Sequence, residues 1–326
     1  MAETVVFLGM GGTIAGTSAV AGDNVGYTAA QVGVAQLLES VPSLQAALGP
    51  CQARSEQVCQ IDSKNLVHAD WQALLERVDH HLSRSEVVGV VVTHGTDTLE
   101  ETAYFLARTL APQWLQRKPV VLTCAMRPAS SLNPDGPGNM RDATTLALCP
   151  GAHGVLVVCA GKAHGATQVQ KVHPYRVDAF DSGEAGPLAV VEEGRVRQLA
   201  QWPASNAPWC SVDMVSLPVW PRVELLISHA GATGAVVRAL LNAVDSENPL
   251  RGIVVAGTGN GTIHKDMEVA LTEAELRGVR VVRTSRCAFG QVVGDGPAAR
   301  SGAFASSGLS AVKARIALML DLANQL

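Results

Sequence analysis

The chain has 326 residues, 47% hydrophobic and 17% charged, a length sufficient for two domains and a balance that excludes disorder. Its net charge of −4, without a long basic block, excludes the electrostatic footprint of a nucleic-acid partner. No apolar run reaches the roughly 18 residues of a spanning helix, so no membrane partner is expected.

The N-terminus, Met1-Ala2-Glu3-Thr4, lacks the positive segment and apolar stretch of a signal peptide. Seven scattered cysteines without a CxxC motif read as reduced, packed thiols, and neither zinc nor redox chemistry is expected. A cytoplasmic location fits. A periplasmic chain with its signal removed would read the same.

The first strand spans 4–9, with Val5-Val6-Phe7-Leu8, and leads into the turn Gly11-Gly12-Thr13-Ile14-Ala15-Gly16. Residues 16–27 are glycine-punctuated, as in a surface loop or a lid hinged at Gly22 and Gly26. Thr28-Ala29-Ala30-Gln31 reads as a capping box opening a helix with Val34, Leu37, Leu38 and Val41 on one face. A second strand, 87–93, ends in Thr93-His94-Gly95-Thr96-Asp97-Thr98. There Thr98-Leu99-Glu100-Glu101 reads as another capping box, ahead of a helix face of Leu99, Ala103, Leu106 and Leu110. Strands at 119–124 and 154–159 follow, Val/Leu-rich and without polar alternation, as when both sheet faces are covered.

Four prolines and three tryptophans between Trp202 and Pro221 mark an interdomain connection. Beyond it come strands near 223–228, 252–256 and 279–284, with helices near 233–244, 266–277 and 310–324. The middle strand ends in Gly257-Thr258-Gly259-Asn260-Gly261. This alternation predicts parallel α/β sheets in an N-terminal domain (1–203) and a C-terminal domain (222–326), with 204–221 as linker.

Strand C-termini of an open parallel sheet converge on one crevice, so Thr13 and Thr96 are expected to face a shared pocket. Gly9-Met10-Gly11-Gly12-Thr13-Ile14 nearly meets GxGxxG, but Ile14 takes the third glycine's place and no Gly-Lys-Ser/Thr follows. A phosphate loop is therefore excluded, and a dinucleotide site is only weakly supported. A threonine nucleophile needs a base. His94 is adjacent to the second motif, and Lys162 and Lys171 both lie just beyond the 154–159 strand. The residues alone do not choose among these.

Gly12-Thr13-Ile14-Ala15-Gly16, Thr93 through Thr98, Ala125-Met126-Arg127-Pro128, Asp135-Gly136-Pro137, Gly257 through Gly261 and Val282-Arg283-Thr284-Ser285-Arg286 together resemble the bacterial L-asparaginase/glutaminase family, in order along nearly the whole chain. The resemblance implies a larger N-terminal doubly wound parallel sheet domain, a smaller C-terminal α/β domain, and amide hydrolysis of L-asparagine, with L-glutamine a weaker substrate. It implies no cofactor or metal. It gives Thr13 as nucleophile, Tyr27 as its activating lid tyrosine, and Thr96 with Lys171 as the proton-handling pair. Asp97 would bind the substrate ammonium and Ser63 its carboxylate. Gly12, Lys64 and Ala125 would line the pocket. Asn260 would complete it in an intimate dimer within a homotetramer. Backbone N–H groups of Gly12, Thr13 and Thr96 would receive the oxyanion.

Two departures stand out. Lys64 occupies a position where secreted members often carry glutamine, and only Asp295 is offered where they place a glutamate after the Ser-Arg motif. An amidotransferase subunit, or a non-catalytic amino-acid or nucleotide binding module, are the alternatives.

Overall fold

A computed structural model describes residues 2–20, 22–41, 44–204, 209–243, 245–293 and 304–325, in two compact units, Met1–Trp209 and Cys210–Leu326. In the first unit, strands β1 (Thr4–Gly11), β2 (Gln52–Ile61), β3 (Val87–Thr93), β4 (Pro119–Thr123) and β5 (Gly154–Cys159) lie parallel. β6 (Lys162–Gly165) then turns back antiparallel on β5. A short ribbon of β7 (Gln170–Lys171) and β8 (Phe180–Asp181) stands apart, before β9 (Ala189–Glu192) and β10 (Arg195–Gln198) extend the edge. The sheet order is β10-β9-β6-β5-β4-β3-β1-β2.

The sheet is thus parallel through β1–β5 and antiparallel at one edge. The cause is local. Ala160 and Gly161, with φ of 50° and 73°, make a two-residue hairpin, which forces β6 to reverse.

Helices α1 (Val34–Glu39), α2 (Leu44–Leu48), α3 (His68–Leu82), α4 (Leu99–Thr109), α5 (Pro112–Leu115) and α6 (Gly136–Ala147) fill the connections. Val34, Leu37, Leu44, Met140 and Leu146, from α1, α2 and α6, share one core with Val5, Phe7, Val91, Val121 and Leu156. The alternate residues Val6, Leu8, Val90 and Val92 are also fully buried, facing the opposite side of the sheet. In α3 and α4, Trp71 stacks on Phe105 with ring centroids 4.9 Å apart. Burial on both faces is why these strands read as unbroken apolar runs. β2, an edge strand paired only to β1 and largely exposed, has no such run and leaves no comparable signature.

Both expected capping boxes are overturned. Thr28 pairs its backbone with Thr17, Ala30 takes a φ of 58°, and α1 begins only at Val34. The Val34 N–H donates to Gln57 Oε1 at 2.8 Å, so a neighbouring strand caps the helix. Thr98 is the N-cap of α4, but its hydroxyl donates to the Ser63 carbonyl at 3.0 Å and caps nothing.

The second unit contains β11 (Arg222–Ile227), α7 (Ala235–Asn242), β12 (Leu250–Gly257), α8 (Lys265–Leu276), β13 (Arg280–Ser285), β14 (Ala305–Ser306) and α9 (Ala311–Ala323). Its four strands are parallel in sequence order. Val237, Ile253, Val255, Met267, Leu271 and Val281 form its core. Among the described residues, no helix is long and apolar enough to cross a membrane.

Candidate active site

Gly9 pairs with Thr93, and Thr93 with Thr123, so the chain leaves β1, β3 and β4 at one level. Their turns therefore meet at the carboxyl edge of the sheet. The approach is close. Gly12 has a φ of 81°, and a Cβ there would overlap the Gly95 N and Cα. A Cβ on Gly95 would in turn overlap the Ser63 side chain. Glycine is the residue that allows both contacts.

Thr13 opens the short 3-10 turn Thr13–Ala15 and is 7% exposed. Its Oγ1 is 2.7 Å from the Tyr27 hydroxyl. Tyr27 precedes the Thr17–Thr28 backbone pairing, and its ring lies over Gly16, where an added Cβ would come within 2.8 Å of Cδ2. The segment ahead of it is turned by Asp23, whose Oδ1 accepts from the Val25 and Gly26 N–H groups.

Thr96, 5% exposed, lies in the turn before α4. Lys171 Nζ donates to Thr96 Oγ1 at 2.8 Å and to Asp97 Oδ1 at 2.7 Å. Of the two lysines that the sequence offers, Lys171 reaches the threonine, because the β7–β8 ribbon returns the chain to the site while Lys162 lies in the sheet ladder of β6. The Lys171 backbone N–H donates to Glu100 Oε1 at 3.1 Å, so the first turn of α4 holds the β7 strand in place.

Ser63 is 3% exposed, in a turn held by the Thr98 hydroxyl. Lys64 pairs with Asp62 Oδ2 at 2.9 Å and its side chain is 65% exposed. The hydrogen bond to Asp62 holds the Lys64 ammonium above its ordinary pKa, and the cation faces that neighbour and solvent. Ala125 is fully buried after β4. Its loop is clamped by the Asp135 carboxylate, which accepts from the Met126 and Arg127 N–H groups at 2.9 Å each. Asn139 Nδ2 donates to the Cys124 carbonyl at 2.9 Å. Asn260 belongs to the second unit, where its amide bonds both backbone groups of Val293, at 3.1 and 2.7 Å. Asp295 lies outside the described residues.

One expectation is corrected, and one of the three candidate bases drops out. The Gly12 N–H donates to the Ile61 carbonyl at 2.9 Å and so is not available to an oxyanion. His94 is no base. It is 1% exposed, and burial lowers its pKa to about 4 despite the opposing hydrogen bond to Gly95. Its Nδ1 lies 2.8 Å from the Gly95 carbonyl and its Nε2 2.9 Å from Thr102 Oγ1. The Trp71 indole N–H donates to the same Thr102 oxygen at 2.8 Å. The sequence carries no signal for this chain, since Trp71 and Thr102 read as ordinary helix-face residues. Among the described residues, no group of three or more His, Cys, Asp or Glu side chains is arranged to hold a metal ion.

The arrangement is two hydroxyl groups on one sheet edge, one hydrogen-bonded to a tyrosine and the other to a lysine, with a carboxylate beside the second. Such a site suits acyl transfer. Comparison with known proteins agrees. The asparaginase N-terminal profile matches residues 4–204, and the glutaminase/asparaginase C-terminal domain profile matches 222–326. The L-asparaginase 2 of Escherichia coli (strain K12) is 34% identical, over 98% of this chain and 88% of its own. The glutaminase-asparaginase of Pseudomonas fluorescens biotype A is 35% identical, over 89% and 77% respectively. The crystal structure of a probable cytoplasmic L-asparaginase from Campylobacter jejuni superposes with a TM-score of 0.87 at 34% identity, covering 98% of this chain and 95% of that one. With both domain profiles matched in order and the fold shared over its length, the chain belongs to the asparaginase family.

Proposed function

We propose that the protein is an L-asparagine amidohydrolase yielding L-aspartate and ammonia, with L-glutamine as a weaker substrate. One observation carries the reading: Thr13 bonded to Tyr27 at 2.7 Å, and Thr96 to Lys171 at 2.8 Å, on one sheet edge. The activities named for the Escherichia coli and Pseudomonas relatives support it.

In this reading Thr13 Oγ1 attacks the side-chain amide carbon of asparagine, its proton passing through the Tyr27 hydroxyl to solvent and returning by the same route when the ester is hydrolysed. The N–H groups of Thr13 and Thr96 receive the developing oxyanion. Ammonia departs with a proton delivered through Thr96 and Lys171, leaving an ester on Thr13. A water deprotonated along the same Thr96–Lys171 pair then hydrolyses the ester and restores the Thr13 hydroxyl. Asp97, half-exposed at the site, binds the substrate α-ammonium, and Ser63 its α-carboxylate. Charge at both ends of the ligand selects free amino acids over peptide amides.

We further propose a catalytic domain of 1–203, a linker of 204–221 and a C-terminal domain of 222–326. Asn260 is assigned to the site of a neighbouring chain in the intimate dimer of a homotetramer. Seven free thiols suit a reducing, cytoplasmic location.

The test is ammonia release from L-asparagine and L-glutamine by wild type and Thr96→Val. Release from asparagine that is largely lost in the variant supports the reading. No release from either substrate by a folded oligomer overturns it.

A further inference from the structure

His94, Thr102 and Trp71 form a polar chain inside an otherwise apolar layer, at 1%, 0% and 3% exposure. The direction of every hydrogen bond in it is fixed by chemistry. A carbonyl only accepts, so His94 Nδ1 carries the proton that is shared with the Gly95 oxygen at 2.8 Å. The neutral ring then leaves Nε2 as an acceptor, so the Thr102 hydroxyl donates to it at 2.9 Å. The Thr102 oxygen is filled by the Trp71 indole N–H at 2.8 Å. Each member is thereby held in one orientation.

The end of this chain is the carbonyl of the Gly95–Thr96 peptide. A trans peptide is planar, with its C=O and N–H directed oppositely. Fixing the Gly95 oxygen therefore fixes the Thr96 N–H, which donates to no group among the described residues. The same bond polarises the peptide and strengthens that N–H as a donor. Gly95 has no side chain to brace this peptide, and a Cβ would overlap Ser63. Orientation comes from the His94 side chain, itself held from outside the turn by Thr102 and Trp71.

We propose that the Trp71–Thr102–His94 chain is a positioning device for the oxyanion site, holding the Gly95–Thr96 peptide so that the Thr96 N–H faces the substrate amide oxygen. The proposal rests on the amidohydrolase reading above. None of the three side chains touches the reacting atoms. They act through the peptide.

Thr102→Val keeps the shape of Thr102 but removes both the donor to His94 and the acceptor for Trp71. The expected result is a fall in kcat of about tenfold to a hundredfold, toward the 10²–10³ cost of losing an oxyanion donor outright. KM for asparagine stays within about twofold, since a donor acting in the transition state leaves ground-state binding alone. Thr102→Ser, which keeps the hydroxyl, restores most of the rate. An aldehyde analogue of asparagine, which forms a tetrahedral adduct, should lose affinity in parallel with kcat, while L-aspartate binds as before. Trp71→Phe keeps the stack on Phe105 but removes the N–H, and should give a smaller loss of the same kind.

An unchanged kcat in a folded Thr102→Val enzyme overturns the proposal, as do equal losses of aldehyde and aspartate binding. If Thr102→Val does not fold, Trp71→Phe decides by the same aldehyde-against-aspartate split. Inactivity of the wild type toward asparagine and glutamine, by contrast, overturns the amidohydrolase reading itself.

Discussion

Gly12 and Gly95 meet backbone to backbone, so close that a Cβ on Gly12 would overlap the Gly95 N and Cα, while a Cβ on Gly95 would overlap the Ser63 side chain. This contact brings the two threonine turns together. Gly95→Ala adds a methyl group against Ser63 and Gly12, where both neighbours are held by backbone hydrogen bonds. Overpacking of this kind costs about 1–3 kcal/mol of stability. Separation of Thr13 from Thr96 by about an ångström should lower kcat/KM by about 10²-fold. Denaturant unfolding and steady-state kinetics on the purified variant check both numbers. Wild-type kinetics would show that the two turns need not touch.

Lys171 bonds both Thr96 and Asp97, and is therefore the hub of the second half of the site. Lys171→Met and Thr96→Val should each lower kcat by about 10²–10⁴-fold, the range for loss of a general acid–base group. The two act as one unit, so the double variant should be no worse than the poorer single variant. Multiplied losses in the double variant would mean that lysine and threonine serve separate steps.

Much of this could be read from residue order, and the failures share a cause. Strands β3 and β5 appear at their expected limits because burial on both faces leaves unbroken apolar runs. β2 escapes because an exposed edge strand has no such run. The two threonine boxes mislead because local pattern cannot tell where a hydroxyl points. Thr98 turns to Ser63, and Thr28 is held against Thr17. Lys171 could not be told from Lys162 by spacing, since the choice depends on a ribbon that leaves the sheet and returns. His94 was a candidate base because it adjoins the second threonine motif; its burial is visible only in the fold.

The buried neutral His94 makes stability depend on pH. Its folded pKa, lowered by burial to about 4, lies below the ordinary 6.5 that the unfolded chain keeps. Between those values the unfolded state binds a proton that the folded state refuses, so stability is full above pH 6.5 and falls as the pH drops toward 4. The loss attributable to this one residue reaches about 3 kcal/mol. Unfolding free energies at pH 7 and at lower pH, for wild type and His94→Gln, isolate it. The variant should be less stable at pH 7 but should show the smaller drop, and equal drops would contradict a neutral buried ring.

Tyr27 touches Thr13 through its hydroxyl alone, at 2.7 Å, while its ring lies over Gly16. Tyr27→Phe keeps the ring and removes the hydroxyl. It should lower kcat by about 10²-fold and leave the melting temperature close to that of wild type. A large loss of stability would assign the tyrosine a packing role.

Lys64 presents a positive charge near the site, yet it is 65% exposed and already paired with Asp62 at 2.9 Å. A solvated, paired cation acts weakly on its surroundings. Its field nonetheless extends to Asp97, whose charge is among the causes that raise the Lys64 pKa. Removing it makes the surroundings of Asp97, the proposed ammonium subsite, slightly more negative. Lys64→Gln should therefore lower KM for asparagine, by less than about fivefold, with kcat unchanged. The difference should vanish near 1 M salt, where the screening length falls to about 3 Å. KM measured across a salt series separates this long-range effect from direct contact. A KM change that survives high salt, or any fall in kcat, would place the Lys64 side chain against the substrate instead of in solvent.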